Sequence, residues 1–363
     1  MNVCFVTDPL TTTAGAVRPA ILLAKELVKN NHGGVLITPQ VDEKIKERLQ
    51  ALKIDVKVVG YGFSFPHSFP TLSAWAKGLI RHRVLGKIED ADVIVNTSSC
   101  IIIQSHVYYA QGIMTNALND IVPMMPAGYR LIYQLIRYPL RNLEQRFIKR
   151  LRDSSNLFIA NSNFCASMYR KWGIRVDRVI NPPIDCSLFK PSSSKPSGDY
   201  VLTHFGVYGK EGKFPVIKAI ADSGVPLKVF GKLPYAPKCL LKHSNITFLG
   251  EVTDRELVDL YSNALYTLFA FSHEPFGYIP LESMACGTPV LTYKKQGPLE
   301  TVVNSERGWL VNDDEELVVA AVNVWKHGYD YATREKCRKN AVAFDINEVF
   351  QVWVRLFKNF IEK

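Results

Sequence analysis

Two glutamates, Glu274 and Glu282, lie with seven residues between them in the stretch EPFGYIPLE. Glu274 follows the apolar run Leu268–Phe271, which reads as a buried strand, and so lies in a loop. Glu282 lies in the first turn of a predicted helix that begins near Ile279 and Pro280, because proline is favoured in a first turn. Carboxylates accept hydrogen bonds from hydroxyl groups, so the pair predicts a ligand with hydroxyls at two places.

The start of the predicted helix supplies a second kind of chemistry between the two carboxylates. Its unpaired N–H groups and partial positive charge favour a phosphate, and Gly277 lets the backbone approach a ligand closely. Gly287 ends the helix, and Pro289–Tyr293 is typical of a second buried strand. A ligand with hydroxyls at both ends and phosphate between them has the layout of a nucleotide sugar. The plainer interpretation is that Glu274 is a charged loop residue and that Glu282 is an acid near the helix start that interacts favourably with the helix dipole.

The same stretch, followed by SMACGTPV, closely resembles the signature of the retaining glycosyltransferases of family four, which have the GT-B fold. The resemblance implies two Rossmann-like α/β domains facing across a cleft, and transfer of a sugar from a nucleotide sugar to an acceptor hydroxyl with retention. It implies that Glu274 is catalytic and accepts hydrogen bonds from the donor sugar, and that Glu282 holds the ribose hydroxyls. The backbone that approaches the sugar and diphosphate is implied to come from five consecutive residues, Phe276, Gly277, Tyr278, Ile279 and Pro280.

Length and composition predict a globular chain of two domains. The chain has 363 residues, too many for one ordinary core. Of these residues 47% are hydrophobic and 21% are charged, which is typical of a globular protein. No apolar run approaches the ~18–20 residues of a membrane span, and the strand-like opening at Met1 predicts no secretory leader. The seven cysteines include no C-x-x-C pair, which predicts reduced thiols, a cytoplasmic setting and no zinc site. The net charge of +10 permits a nucleic-acid, anionic-membrane or phosphorylated partner without choosing among them.

Apolar strand-like runs alternate with helical patterns along the chain, which predicts parallel sheets. The alternation restarts after PSSSKPSG at 191–198, a composition typical of a linker. We therefore predict an N-terminal acceptor-side domain over 1–185, a linker over 186–199 and a nucleotide-sugar-binding domain over 200–345. A last helix, 346–363, carries an apolar stripe and is expected to return to the N-terminal domain.

Two positions in the N-terminal half are candidate donor contacts. Gly15 lies in a small-residue loop after the first predicted strand, where the resembled family has two glycines facing the diphosphate and this chain has Gly15-Ala16. The alternative at Gly15 is a plain turn. His106 lies in an apolar run, and the resembled family has a histidine at this point against the donor sugar and the reacting carbon. We expect His106 to be a second catalytic residue near the carboxyl end of a parallel sheet, with a core histidine as the alternative.

The C-terminal half places glycines and lysines after its first predicted strand. Gly206 follows this strand, and Lys210 or Lys213 is expected to contact the diphosphate. The spacing leaves that choice open, and a solvated lysine is the alternative for either. The resembled family has an arginine directly after this glycine, whereas this chain has Val207. The family also places the loop around Val252 beside the nucleotide base.

No metal or other cofactor is predicted. The triplet Asp90-Ala-Asp92 has the D-x-D pattern that holds a metal in the other main glycosyltransferase architecture. Here it precedes a predicted strand, where polar residues are ordinary, so we assign it no metal. The nucleotide sugar is expected to act as a co-substrate with no metal required.

The stretch 121–152 is basic and amphipathic. It holds seven basic residues against one acid, Glu144, and its apolar residues recur at helical spacing. Pro139 is expected to kink or split the helix. Such a helix favours an anionic membrane surface, and this makes a lipid-linked glycan attractive as the acceptor. The alternative is a helix packed on the N-terminal domain with a solvated basic face, and the absence of a nucleic-acid motif predicts no nucleic-acid partner.

The sequence as a whole predicts a retaining hexosyltransferase that uses a nucleotide sugar and is cytoplasmic, with peripheral attachment to the cytoplasmic membrane face as an option. Two alternatives of the same fold stay open. One is an epimerase or hydrolase of the nucleotide sugar, and the other is a non-catalytic relative that binds the donor. The identities of the sugar, the nucleotide and the acceptor are open at this point.

Overall fold

The chain folds into two compact units, each built on one main parallel sheet. The first unit comprises Met1–Ile113, Ile136–Pro183 and Ile346–Lys363. The second comprises Met114–Leu135 and Ile184–Asp345. The structure is a computed structural model, and it describes residues 1–59, 70–81, 83–86, 88, 90–192, 196–206, 212–231, 238–304 and 306–362.

The strands of the described residues confirm the predicted α/β class with two parallel-sheet domains. In the first unit the order is β3-β2-β1-β5-β7-β8-β9, with a separate small pair, β4-β6. In the second unit the order is β12-β11-β10-β13-β14-β15. Every neighbouring pair in both main sheets is parallel. The strands are β1 (Asn2–Val6), β2 (Gly33–Thr38), β3 (Asp55–Val58), β4 (Arg83–Val84), β5 (Val93–Asn96), β6 (Ile101–Ile102), β7 (Ser105–Ala110), β8 (Ser155–Ala160), β9 (Arg178–Val179), β10 (Val201–His204), β11 (Leu227–Phe230), β12 (Ile246–Gly250), β13 (Thr267–Phe269), β14 (Val290–Tyr293) and β15 (Gly308–Val311).

Helices lie in most of the connections between these parallel strands, whereas β5 and β7 are joined by a stretch that contains only β6. Short 3-10 helices cover Gly15–Val17 and Val122–Met124. The α-helices are α1 (Arg18–Lys29), α2 (Glu43–Ala51), α3 (Pro70–Arg81), α4 (Met114–Ile121), α5 (Ala127–Asp153), α6 (Asn163–Lys171), α7 (Phe214–Asp222), α8 (Lys238–Leu241), α9 (Asp254–Asn263), α10 (Tyr278–Ala285), α11 (Pro298–Thr301), α12 (Asp314–His327), α13 (Ala332–Val342) and α14 (Ile346–Ile361).

The core of the first unit lies between its sheet and the covering helices. β1 is apolar on both faces and is buried from its second residue onward, as expected for a central parallel strand. α14 covers this core with a stripe of buried residues at helical spacing, which includes Val349, Phe350, Trp353 and Phe357. The helix therefore folds as part of the first unit, together with β1 and α1.

The second unit has the same construction. β13 and β14 are buried along their whole length, and they flank the connection that contains α10. α10 is itself buried from Pro280 to Ala285, so it lies inside the unit rather than on its surface. This burial fixes the loop before α10 on the sheet.

The structure groups residues 114–135 with the second unit, whereas the predicted N-terminal domain, 1–185, included them. The Nδ1 atom of His273 lies 2.8 Å from Asp120 Oδ2, and Ser272 Oγ lies 3.6 Å from Met124 Sδ. These contacts tie α4 and the turn after it to the loop that follows β13. Partners so distant in sequence leave no local pattern from which the grouping could be predicted.

Pro139 is expected to kink or split the basic helix; it does not split it, because α5 runs as one helix from Ala127 to Asp153. Proline cannot donate a hydrogen bond to the carbonyl of Leu135, four residues earlier. Leu135 is exposed, so water can solvate that carbonyl and reduce the cost of the missing bond.

The predicted linker is hydrogen-bonded to the second unit on both sides of 193–195, which lie outside the described residues. The N–H of Ser192 donates to Ser262 Oγ at 3.0 Å, and the N–H of Gly198 donates to the carbonyl of Asn263 at 3.0 Å. The flanks of this serine- and proline-rich stretch are therefore attached to the end of α9.

We expect Trp353→Ala to lower the free energy of unfolding of the first unit by about 3–5 kcal/mol. Trp353 is fully buried, and its ring lies edge-on to Tyr109 at 5.3 Å and 5.6 Å from Phe357, so truncation leaves a large cavity. Thermal and urea unfolding would measure the loss. Val352→Ala, on the exposed side of the same helix, is the matched control and should change little; equal effects of the two substitutions would contradict this packing.

Candidate functional site

The loop that carries Glu274 is held by the turn that follows β14. The N–H of Glu274 donates to Gln296 Oε1 at 2.6 Å, and the carbonyl of Glu274 accepts from the N–H of Gly297 at 3.0 Å. The half-buried carboxylate itself accepts a longer hydrogen bond, 3.4 Å, from the N–H of Phe276. These three bonds fix the direction in which the Glu274 side chain leaves the loop.

Gly297 allows these two turns to approach each other closely. A β-carbon at this position would overlap the N and Cα atoms of Phe276 and the carbonyl carbon of Pro275. Backbone atoms cannot yield as a flexible side chain can, so a residue other than glycine would push the loop away. Gln296, directly before it, has a φ of 56°, which is uncommon for a residue with a side chain. The position of Glu274 thus depends on an unusual turn in another part of the chain.

α10 begins earlier than predicted. Gly277 precedes it with a φ of 101°, a conformation that favours glycine, and the helix starts at Tyr278. Glu282 is therefore the fifth residue of the helix, in its second turn, and its predicted place in the first turn is wrong. The first turn contains no acid, so the interpretation of Glu282 as a first-turn charge that stabilises the helix dipole is wrong. The N–H groups at the helix start come from Gly277, Tyr278 and Ile279, since Pro280 has none.

Glu282 is buried, and its carboxylate accepts a hydrogen bond of 3.1 Å from the hydroxyl of Tyr261 on α9. A buried carboxylate is costly unless hydrogen bonds compensate it, so this bond is part of what makes the position tenable. A carboxylate has about four acceptor sites for hydrogen bonds. A side chain of a helix leans towards the helix start, which directs Glu282 back towards the first turn of α10.

The side chain of Phe276 is part of the core. It is buried, and its ring lies 5.8 Å from Tyr278 and 6.1 Å from Phe344. The backbone of this residue, rather than its ring, is what the loop offers to a ligand. This agrees with the kind of contact predicted for the stretch from Phe276 to Pro280.

A cluster of two lysines, a tyrosine and an aspartate lies beside the end of β14. Lys213 Nζ lies 2.6 Å from Asp314 Oδ1 and 4.7 Å from the centre of the Tyr293 ring. Lys295 Nζ lies 4.5 Å from the same ring. Burial lowers the pKa of Lys295, and the charge of Lys213 lowers it further. Burial opposes the ionisation of Asp314, but hydrogen bonds from Lys213 and Tyr293 outweigh it and hold its pKa below the usual value.

Two other predicted donor contacts follow strands of the same sheet. Gly206 comes two residues after β10, and Val252 comes two residues after β12, where it is half-buried against the apolar core. In a parallel sheet the carboxyl ends of the strands share one edge, so these loops lie on the edge that also carries Glu274 and Lys295. Lys210 lies outside the described residues, so of the two candidate lysines only Lys213 has a described position.

In the first unit, Gly15 opens the 3-10 helix that follows β1. The side-chain amide of Gln111, directly after β7, donates to the carbonyl of Ala16 at 2.6 Å. Gly15 therefore lies at the carboxyl edge of the first sheet, in a turn that the glutamine holds.

His106 lies at the opposite edge of that sheet. It is the second residue of β7, its Nδ1 accepts from the N–H of Ile94 at 3.0 Å, and its ring lies 5.1 Å from Phe360. Burial lowers the pKa of His106, which suits a neutral ring that accepts a hydrogen bond. The prediction that His106 lies near the carboxyl end of a parallel sheet is wrong, because the residue starts its strand instead of ending it.

The sequence analysis missed Gln111, Gln296, Gly297 and Tyr261. Gln111 and Gln296 share a signal that could have revealed them: each is followed by glycine, and each comes within three residues of the end of a buried strand. Tyr261 carries no such signal, because its contact with Glu282 joins the inward faces of two helices.

A metal site has no support in the described part of the chain, where no group of three histidine, cysteine or acidic residues is close enough to hold an ion. Asp92, in the predicted D-x-D triplet, accepts a hydrogen bond of 2.7 Å from the N–H of Asn2, so it has a local structural role at the start of β1.

Comparison with known sequences links the second half of the chain to one family. Residues 189–344 match the family model of glycosyl transferases group 1. The mouse alpha-1,3/1,6-mannosyltransferase ALG2 is 37% identical over 70 residues, which are 19% of this chain and 17% of that protein. A probable sucrose-phosphate synthase from Thermosipho melanesiensis is 34% identical over 187 residues, or 44% of this chain and 42% of that protein. The chain thus spans less than half the length of these curated relatives.

Similar folds extend over the whole chain. The structure of Anabaena Alr3699/HepE in complex with UDP has a TM-score of 0.69 at 20% identity, covering 99% of this chain and 100% of that chain. WaaG, a glycosyltransferase involved in lipopolysaccharide biosynthesis, has a TM-score of 0.69 at 17% identity, covering 98% and 99%.

The two parallel-sheet α/β domains and the similar folds of HepE and WaaG confirm the predicted fold class, the GT-B fold. The match of residues 189–344 to the family model of glycosyl transferases group 1 confirms the predicted resemblance. Glu274, Glu282 and the whole of α10 lie inside the matched region.

If this loop binds the nucleotide sugar that the sequence predicts, Gly297→Ala should weaken its binding and turnover together, by about tenfold or more, because a shift of the Glu274 loop displaces a carboxylate and the start of α10 at once. Binding of the nucleotide sugar by calorimetry, followed by steady-state kinetics, would measure both effects. Gly86→Ala is the matched control, because nothing lies within 4 Å of a β-carbon there. Unchanged donor affinity in a folded Gly297→Ala protein would show that the loop does not depend on this close approach.

Proposed function

We propose that the protein transfers a sugar from a nucleotide-sugar donor to an acceptor hydroxyl. The observation that carries the proposal is the arrangement around α10. Glu274 lies in the fixed loop before this helix, and Glu282 lies in its second turn with its side chain directed towards the helix start. Between them lies a helix start that favours phosphate, so the order of groups matches sugar, diphosphate and ribose.

The donor sugar is proposed to bind through Glu274, whose carboxylate accepts hydrogen bonds from sugar hydroxyls. The ribose is proposed to bind through Glu282, since a carboxylate accepts hydrogen bonds from hydroxyl groups and the bond from Tyr261 holds this one in place. The N–H groups at Gly277, Tyr278 and Ile279 face the diphosphate in this arrangement. Structures of Anabaena HepE with UDP and with UDP-glucose support a nucleotide sugar as the donor class.

The charge that develops on the leaving diphosphate is proposed to be stabilised by Lys213 and Lys295 together with the start of α10. Preorganised charges at the place where charge develops are the most effective form of such stabilisation. The Asp314 carboxylate and the Tyr293 ring hold the two ammonium groups in position before a ligand arrives. On this proposal the positive charge comes from the protein, and no metal is needed. Gly15, Gly206 and Val252 stay predicted donor contacts, and His106 has no part in the proposal.

We also propose the stereochemistry of the transfer, the type of donor sugar, the type of acceptor and the cellular setting. Retention of the anomeric configuration and a hexose donor are inferred from the family-four signature, and a mannosyltransferase among the relatives is in keeping with a hexose. A lipid-linked glycan is proposed as the acceptor, and a cytoplasmic setting is inferred from free cysteines, six of which are buried.

We expect Glu274→Gln to lower kcat/KM by about 10- to 100-fold, and Glu282→Gln to raise the donor dissociation constant by about tenfold with a smaller effect on kcat. Each substitution keeps the size of the side chain and removes a charged acceptor of hydrogen bonds. A panel of nucleotide sugars screened for release of free nucleotide, with and without acceptor, gives the rates, and calorimetry gives the affinities.

Glu306→Gln is the control for this pair, because Glu306 is exposed and forms an ion pair with its neighbour Arg307. Near-normal turnover of Glu274→Gln at saturating donor would refute the role of Glu274. Nucleotide release at full rate without any acceptor would instead identify a hydrolase or epimerase. A donor-induced rise in melting temperature with no release at all would identify a non-catalytic donor-binding protein.

We expect the affinity for a nucleoside diphosphate to fall at alkaline pH, and to do so at a lower pH than an ordinary lysine would cause. The pKa of Lys295 is lowered, so rising pH removes its proton and with it one cation that attracts the diphosphate. The terminal phosphate loses its last proton with a pKa of ~6 and gains negative charge as it does so, which strengthens rather than weakens attraction to a cation. Lys295→Arg should abolish the decline, because arginine stays protonated, while the neighbouring Lys294→Arg should retain it. The same profile in excess chelator is expected; its loss there would reveal a required metal.

A further inference from the structure

The first half of α5 exposes an unusual number of large apolar side chains. Twenty large hydrophobic residues are exposed in the described part of the chain, and eight of them lie between 124 and 143. Leu135 is 73% exposed, which is among the highest values for any of them. Single exposed apolar residues are normal on a protein surface, whereas a concentration of this kind marks an interaction surface.

These residues share one side of the helix, which we call the outer face of α5. The face consists of two adjacent stripes at helical spacing, Leu131, Leu135 and Tyr138 in one, and Ile132, Ile136 and Leu143 in the other. All six side chains are exposed. The outer face is therefore not the core-facing side of an ordinary amphipathic helix, because that side would be buried.

The core-facing side of the same helix is separate and fully used. Tyr133 is buried, and its hydroxyl donates to the carbonyl of Thr115 at 3.1 Å and to Asn119 Oδ1 at 2.8 Å. Further along the helix, Glu144 is buried and accepts from the indole N–H of Trp75 at 3.0 Å. The helix is thus anchored through one side, and the outer face is a second apolar side.

Basic residues border this face. Arg130, Arg137, Arg141 and Arg146 are exposed, and none of them forms an ion pair with an acid in the described residues. Arg137 instead donates to the hydroxyl of Tyr138 at 3.0 Å and lies over that ring. An apolar face bordered by unpaired arginines combines the two attractions that an anionic lipid surface offers.

We propose that the outer face of α5 lies on the surface of an anionic membrane. The leucine and isoleucine side chains enter the boundary between headgroups and acyl chains, Tyr138 lies at the interface, and the arginines contact lipid phosphates. The helix lies in the plane of the surface; among the described helices, none has the length and apolar character needed to cross a bilayer. The charge also argues against a second copy as the occupant, because two such basic faces repel each other. The proposal stands without the proposed sugar transfer.

Co-sedimentation with phosphatidylcholine vesicles, prepared with and without phosphatidylglycerol, tests the proposal. The full chain should bind the anionic vesicles at low salt and be released as salt is raised. Leu131→Ser/Leu135→Ser should reduce binding at least tenfold. Arg130→Gln/Arg137→Gln/Arg141→Gln should reduce it by about fivefold for each charge removed.

Two control variants match these changes away from α5. Val319→Ser/Tyr331→Ser removes two exposed apolar residues, and Lys326→Gln/Lys336→Gln/Lys339→Gln removes three exposed charges. Both should bind anionic vesicles as the unmodified chain does, and all variants should keep its melting temperature, because the changed residues are exposed.

Three results would overturn the proposal. One is the absence of binding to anionic vesicles at low salt, and another is an equal loss of binding in the lysine control, which would indicate attraction by net charge alone. The third is a dimer, measured by light scattering, that Leu131→Ser/Leu135→Ser dissociates while vesicle binding is unchanged. That result would assign the face to a second copy of the chain.

Discussion

The close approach of Gly297 to the backbone of Pro275 and Phe276 is the constraint on which the candidate site depends. The approach brings Gln296 within hydrogen-bonding distance of the N–H of Glu274, so one turn determines where the other holds its carboxylate. The loop also ends at the start of α10, and its position therefore determines where the helix points its N–H groups. A single steric requirement at a glycine thus links a carboxylate and the start of a helix that we propose to bind phosphate, two features that would otherwise move independently.

A glutamine also holds a turn in place on the first sheet, through a side-chain hydrogen bond. Gln111 leaves β7 at its carboxyl end and donates to the carbonyl of Ala16, in the turn that contains Gly15. In both units a glutamine after a strand therefore holds a neighbouring turn at the carboxyl edge of a parallel sheet. An amide suits this task, because it donates and accepts without carrying a charge that would compete for a phosphate.

Local patterns predicted much of the fold and only part of the site. The apolar runs that became β1 and β14 were recognisable because central parallel strands are buried on both faces. The pairing of Glu274 with Glu282 was recognisable because both lie in one connection. The second-turn position of Glu282 depended on the backbone angle at Gly277, which composition does not reveal. His106 was misplaced because an apolar run does not show where a strand begins.

The arginines beside the outer face of α5 have two effects on what this face can contact. Exposed leucines and isoleucines contribute little to folding, since they stay in water, and by themselves they favour association of the chain with itself. The arginines beside them oppose that association, because like charges repel when two copies meet. The same arginines attract the face to any surface of opposite charge, where the apolar residues leave water. Apolar residues without the arginines would favour aggregation, and arginines without the apolar residues would give an attraction that salt screens. The combination is selective for a surface that is both anionic and apolar beneath, which is the physical description of an acidic lipid bilayer.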